Sequence, residues 1–159
     1  MTYPPGRPQG QIERIIVHHS ATEDTGSLSW SAIQRYHTEY NGWDDIGYHA
    51  GCELIRNDFV VLLGRPEFRT GSHTAGHNRN TLGFCFVGNY DLVEPTERML
   101  EVAAKRWFIP VMTRYGLGVN DLRPHWQYAR KSCPGKLFQM EHLRNAIRRA
   151  NGQLPAEKG

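Results

Sequence analysis

Two continuous apolar runs constrain the fold of this chain more than any other feature of its sequence. Residues 14–18 (RIIVH) are mostly β-branched, and residues 82–87 (LGFCFV) form a second apolar run. A strand that is apolar along its whole length is typically buried on both faces, as in sheets that carry helices on either side. The two runs therefore predict buried strands at the centre of a helix-covered sheet.

The chain between these runs predicts a helix and a hairpin. Residues 30–40 place apolar and aromatic side chains at helical spacing, and Ser29 stands before them in the position of an N-cap. Residues 48–55 and 59–63 read as two strands joined by a turn at residues 57–58. The long polar segment that follows, up to the second apolar run, predicts a loop of the length that is often functional.

The second half of the sequence predicts two more helices. Residues 95–115 form the longest helical pattern, which Gly116 ends and in which Pro110 should cause a kink. Residues 136–150 predict the final helix. Strands interleaved with helices indicate an α/β fold, a single domain with a central mixed β-sheet flanked by about three main helices.

Length and composition fit this reading. The chain has 159 residues, of which 39% are hydrophobic and 22% are charged, enough for one domain with one core. We expect an N-terminal arm at residues 1–11, the domain at residues 12–151 and a C-terminal tail at residues 152–159. Three cysteines argue against a disulfide scaffold.

Charge and hydropathy restrict the partners. The net charge of +3 is mildly basic and the basic residues are not gathered in one block, so we expect no nucleic-acid partner. No stretch approaches the roughly 20 apolar residues of a membrane span, and we expect no membrane insertion. The first residues lack the apolar region of a signal peptide, which predicts synthesis in a cytoplasm without a Sec export signal.

Three side chains are candidates for a metal site. His18 ends the first predicted strand, where α/β folds open onto ligand crevices. His125 and Cys133 share a proline-containing loop, and imidazole and thiolate are both good zinc ligands. Taken singly they also fit a polar strand end, a surface histidine and a buried cysteine. Three protein ligands with one open position would form a catalytic site for one Zn²⁺ per chain.

Other polar side chains fit roles around such a site. Tyr48 and Lys131 could both donate to a developing oxyanion, although a core tyrosine and a solvated lysine are the simpler readings. His73 and Asn80 lie in the long loop, whose donors and glycines suit a sugar or peptide groove or an ordinary solvent loop. Trp126 follows a candidate ligand and would pack or line the groove.

Two further histidines are poorer candidates. His37 lies beside aromatic residues on the first predicted helix and is expected to be a packed histidine with a hydrogen bond. His49 neighbours Tyr48 along the strand, so the two side chains should face opposite ways.

In order along the chain, several short segments resemble the amidase-2 family, which includes phage lysozyme-type amidases and peptidoglycan recognition proteins. These segments are IIVHHSAT (15–22), IQRYH (33–37), GWDDIGYH (42–49), GRP (64–66), GSH (71–73), NRNTLGFCFVGNY (78–90), RPH (123–125) and KSCPG (131–135). The resemblance spans about residues 12 to 138. Each segment is short, but the set in this order is specific.

The resemblance implies a zinc site in a surface cleft, with His18, His125 and Cys133 as ligands and with Tyr48 and Lys131 as catalytic residues. The implied reaction is hydrolysis of the amide between N-acetylmuramic acid and L-alanine in bacterial peptidoglycan. The sequence has no obvious counterpart of the carboxylate base found in the cytosolic recycling branch.

Alternative roles remain within the same resemblance. A phage or prophage endolysin fits a compact catalytic domain that is made in the host cytoplasm, reaches the wall after holin-type release and acts as a monomer on peptidoglycan. A cytosolic muropeptide-recycling amidase fits the missing export signal, but that branch has aspartate where this chain has Cys133. A peptidoglycan-binding module without catalysis is the third reading, and such modules commonly lack the cysteine.

Overall fold

The computed structural model describes residues 7–22 and 29–154, and five strands in these ranges form one mixed sheet. The strands are β1 (Arg14–His19), β2 (Ala50–Ile55), β3 (Asp58–Leu63), β4 (Thr81–Phe86) and β5 (Leu122–Pro124). Their order is β3-β2-β4-β1-β5; only β3 is antiparallel to its neighbour. The predicted mixed sheet of an α/β domain is confirmed.

Three main helical stretches flank this sheet, as predicted. The first is α1 (Trp30–Arg35), continued by a π-helical turn (Tyr36–Tyr40); the second comprises α2 (Glu97–Ala103), a π-helical turn (Ala104–Phe108) and α3 (Ile109–Tyr115); the third is α4 (Met140–Ala150). Ser29 caps α1, because its hydroxyl accepts the backbone N–H of Ala32.

The longest helix accommodates Pro110 by changing its hydrogen-bond pattern. A proline lacks the N–H that a helix needs and its ring presses on the carbonyl four residues back. Immediately before Pro110 the backbone widens into the π-helical turn, in which the N–H of Ile109 donates to the carbonyl of Ala104. The helix therefore continues to Tyr115 and ends at Gly116, which adopts a left-handed conformation (φ 66°).

The two faces of the sheet carry different apolar clusters. On one face, side chains such as Ile15, Val17 and Phe84 pack under α2, α3 and α4 in the main core. On the other face, Cys85 packs with Trp30 of α1 in a smaller cluster. The two strands predicted from apolar runs are buried along their length apart from Arg14, because helices cover both of their faces.

Some predicted boundaries were wrong. The hairpin turn falls on Arg56-Asn57, one residue earlier than predicted, and Arg56 adopts a positive φ of 59° there. Strand β2 begins at Ala50 rather than at residue 48. Strand β5 was not predicted, since a three-residue edge strand has no period of its own.

The final helix begins four residues later than predicted. The N–H of Lys136 donates to the carboxylate of Asp91, and the N–H of Leu137 donates to the carbonyl of Tyr90. These bonds hold residues 136 and 137 in a non-helical turn against Tyr90 and Asp91, in the loop that follows β4. The helical pattern of the sequence is overridden there by a tertiary contact.

The described part of the predicted N-terminal arm lies along the long loop between β3 and β4. Pro8 forms an isolated bridge with Arg69, and the N–H of Gln9 donates to the carbonyl of Phe68. Residues 1–6 of the arm and 155–159 of the tail lie outside the described residues. Within the described ranges, no helix has both the length and the apolar character needed to cross a bilayer.

Candidate active site

A cleft of about 820 Å³ opens where the parallel strands β1 and β5 end. His18 lies near the end of β1, and His125 follows the last residue of β5. Carboxyl ends of parallel strands are where open α/β sheets bind ligands. The unpredicted strand β5 therefore explains how two histidines far apart in sequence reach one place.

The three predicted metal ligands meet in this cleft. One potential ligand atom from each of His18, His125 and Cys133 lies within 4.8 Å of the other two, and all three residues are buried. His18 Nδ1 lies 3.7 Å from Cys133 Sγ, and the rings of His18 and His125 are 4.4 Å apart at their centroids. This spacing suits a single ion between them.

Backbone hydrogen bonds fix the cysteine relative to the two strands. The N–H of His19 donates to Cys133 Sγ over 3.3 Å. The N–H of Trp126 donates to the carbonyl of Cys133 over 2.8 Å, which ties the cysteine loop to the turn that holds His125. The sulfur is thus held by the ends of β1 and β5 together.

A metal needs neutral imidazoles and a thiolate; the two imidazoles are already neutral, whereas the cysteine must lose its proton on binding. Burial lowers the pKa of His18 well below its ordinary value and, with the nearby Lys131 ammonium, lowers that of His125 to about 4. Burial raises the pKa of the Cys133 thiol to about 12, so the thiolate requires a nearby cation.

One ring nitrogen of His125 also points to a bound ion. His125 Nδ1 is buried and has no hydrogen-bond partner among the described residues, which is unusual for a polar atom unless an ion faces it. Two nitrogens and one thiolate sulfur form a donor set that zinc prefers. The residues present fit a zinc ion.

Tyr48 and Lys131 line the same cleft. The ring of Tyr48 lies 5.2 Å from that of His18, and burial, with further contributions from Cys85 and Cys133, raises the pKa of its phenol well above the ordinary value. Tyr48 therefore keeps its proton at neutral pH and can donate a hydrogen bond. Lys131 is exposed and supplies the positive charge of the cleft.

Comparison with known proteins agrees with this geometry. A family model described as N-acetylmuramoyl-L-alanine amidase, Amidase_2, matches residues 8–136. The chain belongs to the Amidase_2 family.

Several relatives match along most of their length. An endolysin of Enterobacteria phage T3 is 33% identical over 132 residues, which cover 80% of this chain and 83% of the phage protein. The solved amidase LysC of Clostridium intestinale superposes with a TM-score of 0.75 at 26% identity, covering 92% of this chain and 94% of that one. A complex of peptidoglycan recognition proteins LCa and LCx with tracheal cytotoxin also superposes, with a TM-score of 0.72 at 26% identity. The match covers 87% of this chain and 91% of that one.

The residues predicted to bind substrate are not brought together in this Amidase_2 domain. His73 lines the cleft. Asn80 instead lines a separate small depression with Glu13 and Arg14. Trp126 is 55% exposed and is not among the cleft-lining residues, since the turn after β5 directs it outward. Any role of Asn80 or Trp126 in binding substrate therefore needs a ligand that extends beyond the cleft.

Other cleft residues were not singled out from the sequence. The side-chain oxygen of Asn78 accepts the backbone N–H groups of His73 and Thr74 and so shapes the loop wall. Asp91 lines the cleft and accepts hydrogen bonds from the Ser132 hydroxyl and from the N–H of Lys136. Nothing local in the sequence distinguishes these two from ordinary loop residues, because their partners are distant.

The two histidines judged poorer candidates have structural partners. His37 Nδ1 accepts the N–H of Gly47 over 3.0 Å, as expected for a packed histidine, but His37 also lines the cleft beside Tyr48. His49 is buried; its Nδ1 accepts the N–H of Gly83, and its Nε2–H donates to the carbonyl of Arg69. His49 lies outside the residues that line the cleft.

Proposed function

We propose that this Amidase_2 chain is a zinc-dependent hydrolase of the amide bond between N-acetylmuramic acid and L-alanine in peptidoglycan. The observation that carries the proposal is the convergence of His18, His125 and Cys133 in one cleft, with ligand atoms within 4.8 Å of one another. A phenol and an ammonium line the same cleft. The name of the matched family describes this amidase activity.

The metal's chemistry is that of a Lewis acid: zinc held by the three ligands would polarise the scissile carbonyl and strengthen water as a nucleophile. Tyr48 keeps its proton because burial raises its pKa, so its hydroxyl would donate to the oxygen on which negative charge develops. Lys131 would stabilise that charge or pass a proton to the leaving amine of L-alanine.

Metal analysis combined with mass spectrometry of digested sacculi tests the proposal. We expect one zinc per chain and the release of peptide stems with N-terminal alanine. The Cys133→Ser variant should lose both zinc and activity, whereas Cys52→Ala, which changes a buried core thiol on β2, should keep both. New reducing sugar ends would indicate a glycosidase, and an active, metal-free Cys133→Ser protein would refute the ligand assignment.

We further propose that the enzyme acts in host lysis as a phage or prophage endolysin. The support is the relative from phage T3, which is named an endolysin. The match with this chain covers 83% of the length of that phage protein. Expression in a bacterial cytoplasm should leave cells intact until a holin is co-expressed, and lysis without a holin would contradict this route. The expected monomer and the lack of a nucleic-acid partner stay predictions.

Substrate preference separates this role from its alternatives. An endolysin should cleave intact sacculi faster than soluble anhydro-muropeptides, and a recycling amidase should show the reverse order. The similarity to recognition proteins LCa and LCx, solved as a complex with tracheal cytotoxin, supports a binding-only role as the other alternative. Binding to sacculi without release of stem peptides by the zinc-loaded chain would favour that role.

A further inference from the structure

His18 contacts a second histidine through the ring nitrogen that does not face Cys133. Its Nδ1 lies 3.7 Å from Cys133 Sγ, and its Nε2 lies 2.9 Å from Nδ1 of His73. Two ring nitrogens at 2.9 Å leave room for one hydrogen between them, so one must carry the N–H and the other must offer its lone pair. A neutral imidazole carries one N–H, and the bond between the rings therefore has one donor and one acceptor.

The direction of that bond decides whether His18 can bind a metal. If His18 Nε2–H donates to His73, the lone pair of His18 Nδ1 points toward Cys133 and is free for an ion. If His73 Nδ1–H donates instead, His18 carries its proton on Nδ1 and the ligand position is blocked. The tautomer of His73 thus selects the tautomer of His18.

Thr81, the first residue of β4, supplies the group that fixes His73. The Thr81 hydroxyl donates its single proton to the carbonyl of His77 over 2.7 Å. Its oxygen also lies 3.4 Å from Nε2 of His73, where it can only accept. His73 therefore carries its proton on Nε2, and its Nδ1 is left as the acceptor that His18 requires.

The packing around His73 holds the ring in this place. Gly83 of β4 leaves room for it, because a Cβ atom there would lie 2.5 to 2.8 Å from three atoms of the imidazole. The side-chain oxygen of Asn78 accepts the backbone N–H of His73 over 3.0 Å. Thr74 Oγ1 lies 3.0 Å from His73 Nδ1 and 3.4 Å from His18 Nε2. The Thr74 oxygen can accept from His18 Nε2–H, but its hydroxyl competes with that N–H for the one lone pair of His73 Nδ1, so Thr74 does not by itself set the direction of the bond.

We propose that Thr81 and His73 form a directional hydrogen-bond relay that holds His18 in the tautomer with a free Nδ1 and so prepares it for zinc. His73 is in this view a positioning residue, not a substrate-binding one. Histidine ligands of metals usually donate their second ring N–H to a carboxylate, a backbone carbonyl or water. Here the imidazole of His73 takes that place, and Thr81 determines which nitrogen of His73 carries the proton. The zinc part of the inference rests on the proposed function.

The first test reads the tautomers of the full-length chain by long-range proton–nitrogen NMR, before and after zinc is added. We expect both His18 and His73 to carry their protons on Nε2 already in the metal-free protein. The Thr81→Val variant should give His18 a measurable population of the Nδ1–H form, and Thr81→Ser should restore the single form. This readout does not depend on catalysis.

The second test measures zinc affinity by competition with a chelator. His73→Ala should weaken binding about 10- to 100-fold, the usual effect of losing such a partner. His73→Asn should recover most of this loss, because the amide oxygen can lie near the position of Nδ1. Thr81→Val should weaken binding by roughly two- to tenfold, as expected for one hydrogen bond. Thr113→Val, which removes an exposed helix hydroxyl, is the matched control and should change nothing.

The outcomes separate the relay from the proposed function. A metal-free wild type in which His18 is mainly protonated on Nδ1 overturns the relay. Zinc affinities of His73→Ala and Thr81→Val equal to that of the wild type overturn it as well, while the amidase assignment stands. A wild type that binds no zinc refutes the zinc enzyme, and the tautomers then still decide the relay. Should His73→Ala unfold, the Thr81→Val and Thr81→Ser pair carries the test.

Discussion

Zinc binding should release one proton per ion from the protein ligands across the neutral range, to which a zinc-bound water with a pKa of about 7 would add only near and above that pH. Metal ligands bind in their deprotonated forms. The pKa of His125 is lowered to about 4 and burial lowers that of His18 well below its ordinary value, so neither imidazole contributes a proton near neutral pH. The pKa of Cys133 is raised to about 12, so its thiol keeps its proton until zinc displaces it.

These pKa shifts determine the direction and the size of the pH dependence of zinc affinity. A protonated thiol competes with zinc, so raising the pH strengthens binding about tenfold per unit, and about 100-fold from pH 5.5 to pH 7.5. If both histidines titrated at their ordinary value of 6.5, each would add about another tenfold over the same interval, and the total would approach 10,000-fold. The two cases differ by about 100-fold, which is easily measured.

Calorimetry in buffers of different ionisation enthalpy counts the released protons directly, and chelator competition from pH 5.5 to 7.5 gives the affinity. The Cys52→Ala variant is the control and should release the same single proton, because this thiol is buried in the core. A count near three at pH 5.5 would refute the desolvation of the histidines. A count near zero would show that Cys133 is already a thiolate without metal.

Three substitutions probe the remaining parts of the site and the sheet beneath it. Tyr48→Phe should keep zinc affinity and lower kcat on muropeptides by about 10²- to 10³-fold, the usual effect of losing an oxyanion donor. Lys131→Ala should retain one zinc by metal analysis and lose turnover, and loss of zinc would contradict its proposed role as a catalytic residue that does not hold the metal. Gly51→Ala should cost about 1–3 kcal/mol in urea unfolding, since its Cβ would lie 2.2 Å from Trp30. Gly118→Ala, whose nearest contact would be 3.9 Å away, should cost much less.

Much of the fold could be predicted because its signals are local. The apolar runs of β1 and β4 are complete in themselves, and the caps Ser29 and Gly116 stand beside the patterns that they end. The ligand set was reached differently. Taken singly, His125 and Cys133 fit ordinary structural roles; ligand chemistry suggested grouping them with His18, and the ordered set of family segments made that grouping specific.

What the sequence did not reveal depends on contacts between distant segments. Strand β5 exists because three residues pair with β1, and no periodicity marks so short an element. The prediction that His73 binds substrate stays a prediction, and loop composition carried no information that its ring would also fold back onto the sheet and contact His18. Its actual place depends on the space above Gly83 and on the hydroxyl of Thr81, both on a strand that follows the loop.

The choice between two adjacent histidines shows how the sheet determines the chemistry. His18 and His19 have the same side chain, and alternation along β1 sends them to opposite faces. Ile15 and Val17 belong to the main core, so the face opposite to theirs, at the position paired with Cys85, receives His18. A slip of one residue would move Ile15 and Val17 to the face that now holds Ile16 and would exchange the two histidines. The placement of Ile15 and Val17 in the main core therefore fixes which of the two histidines lies beside Cys133.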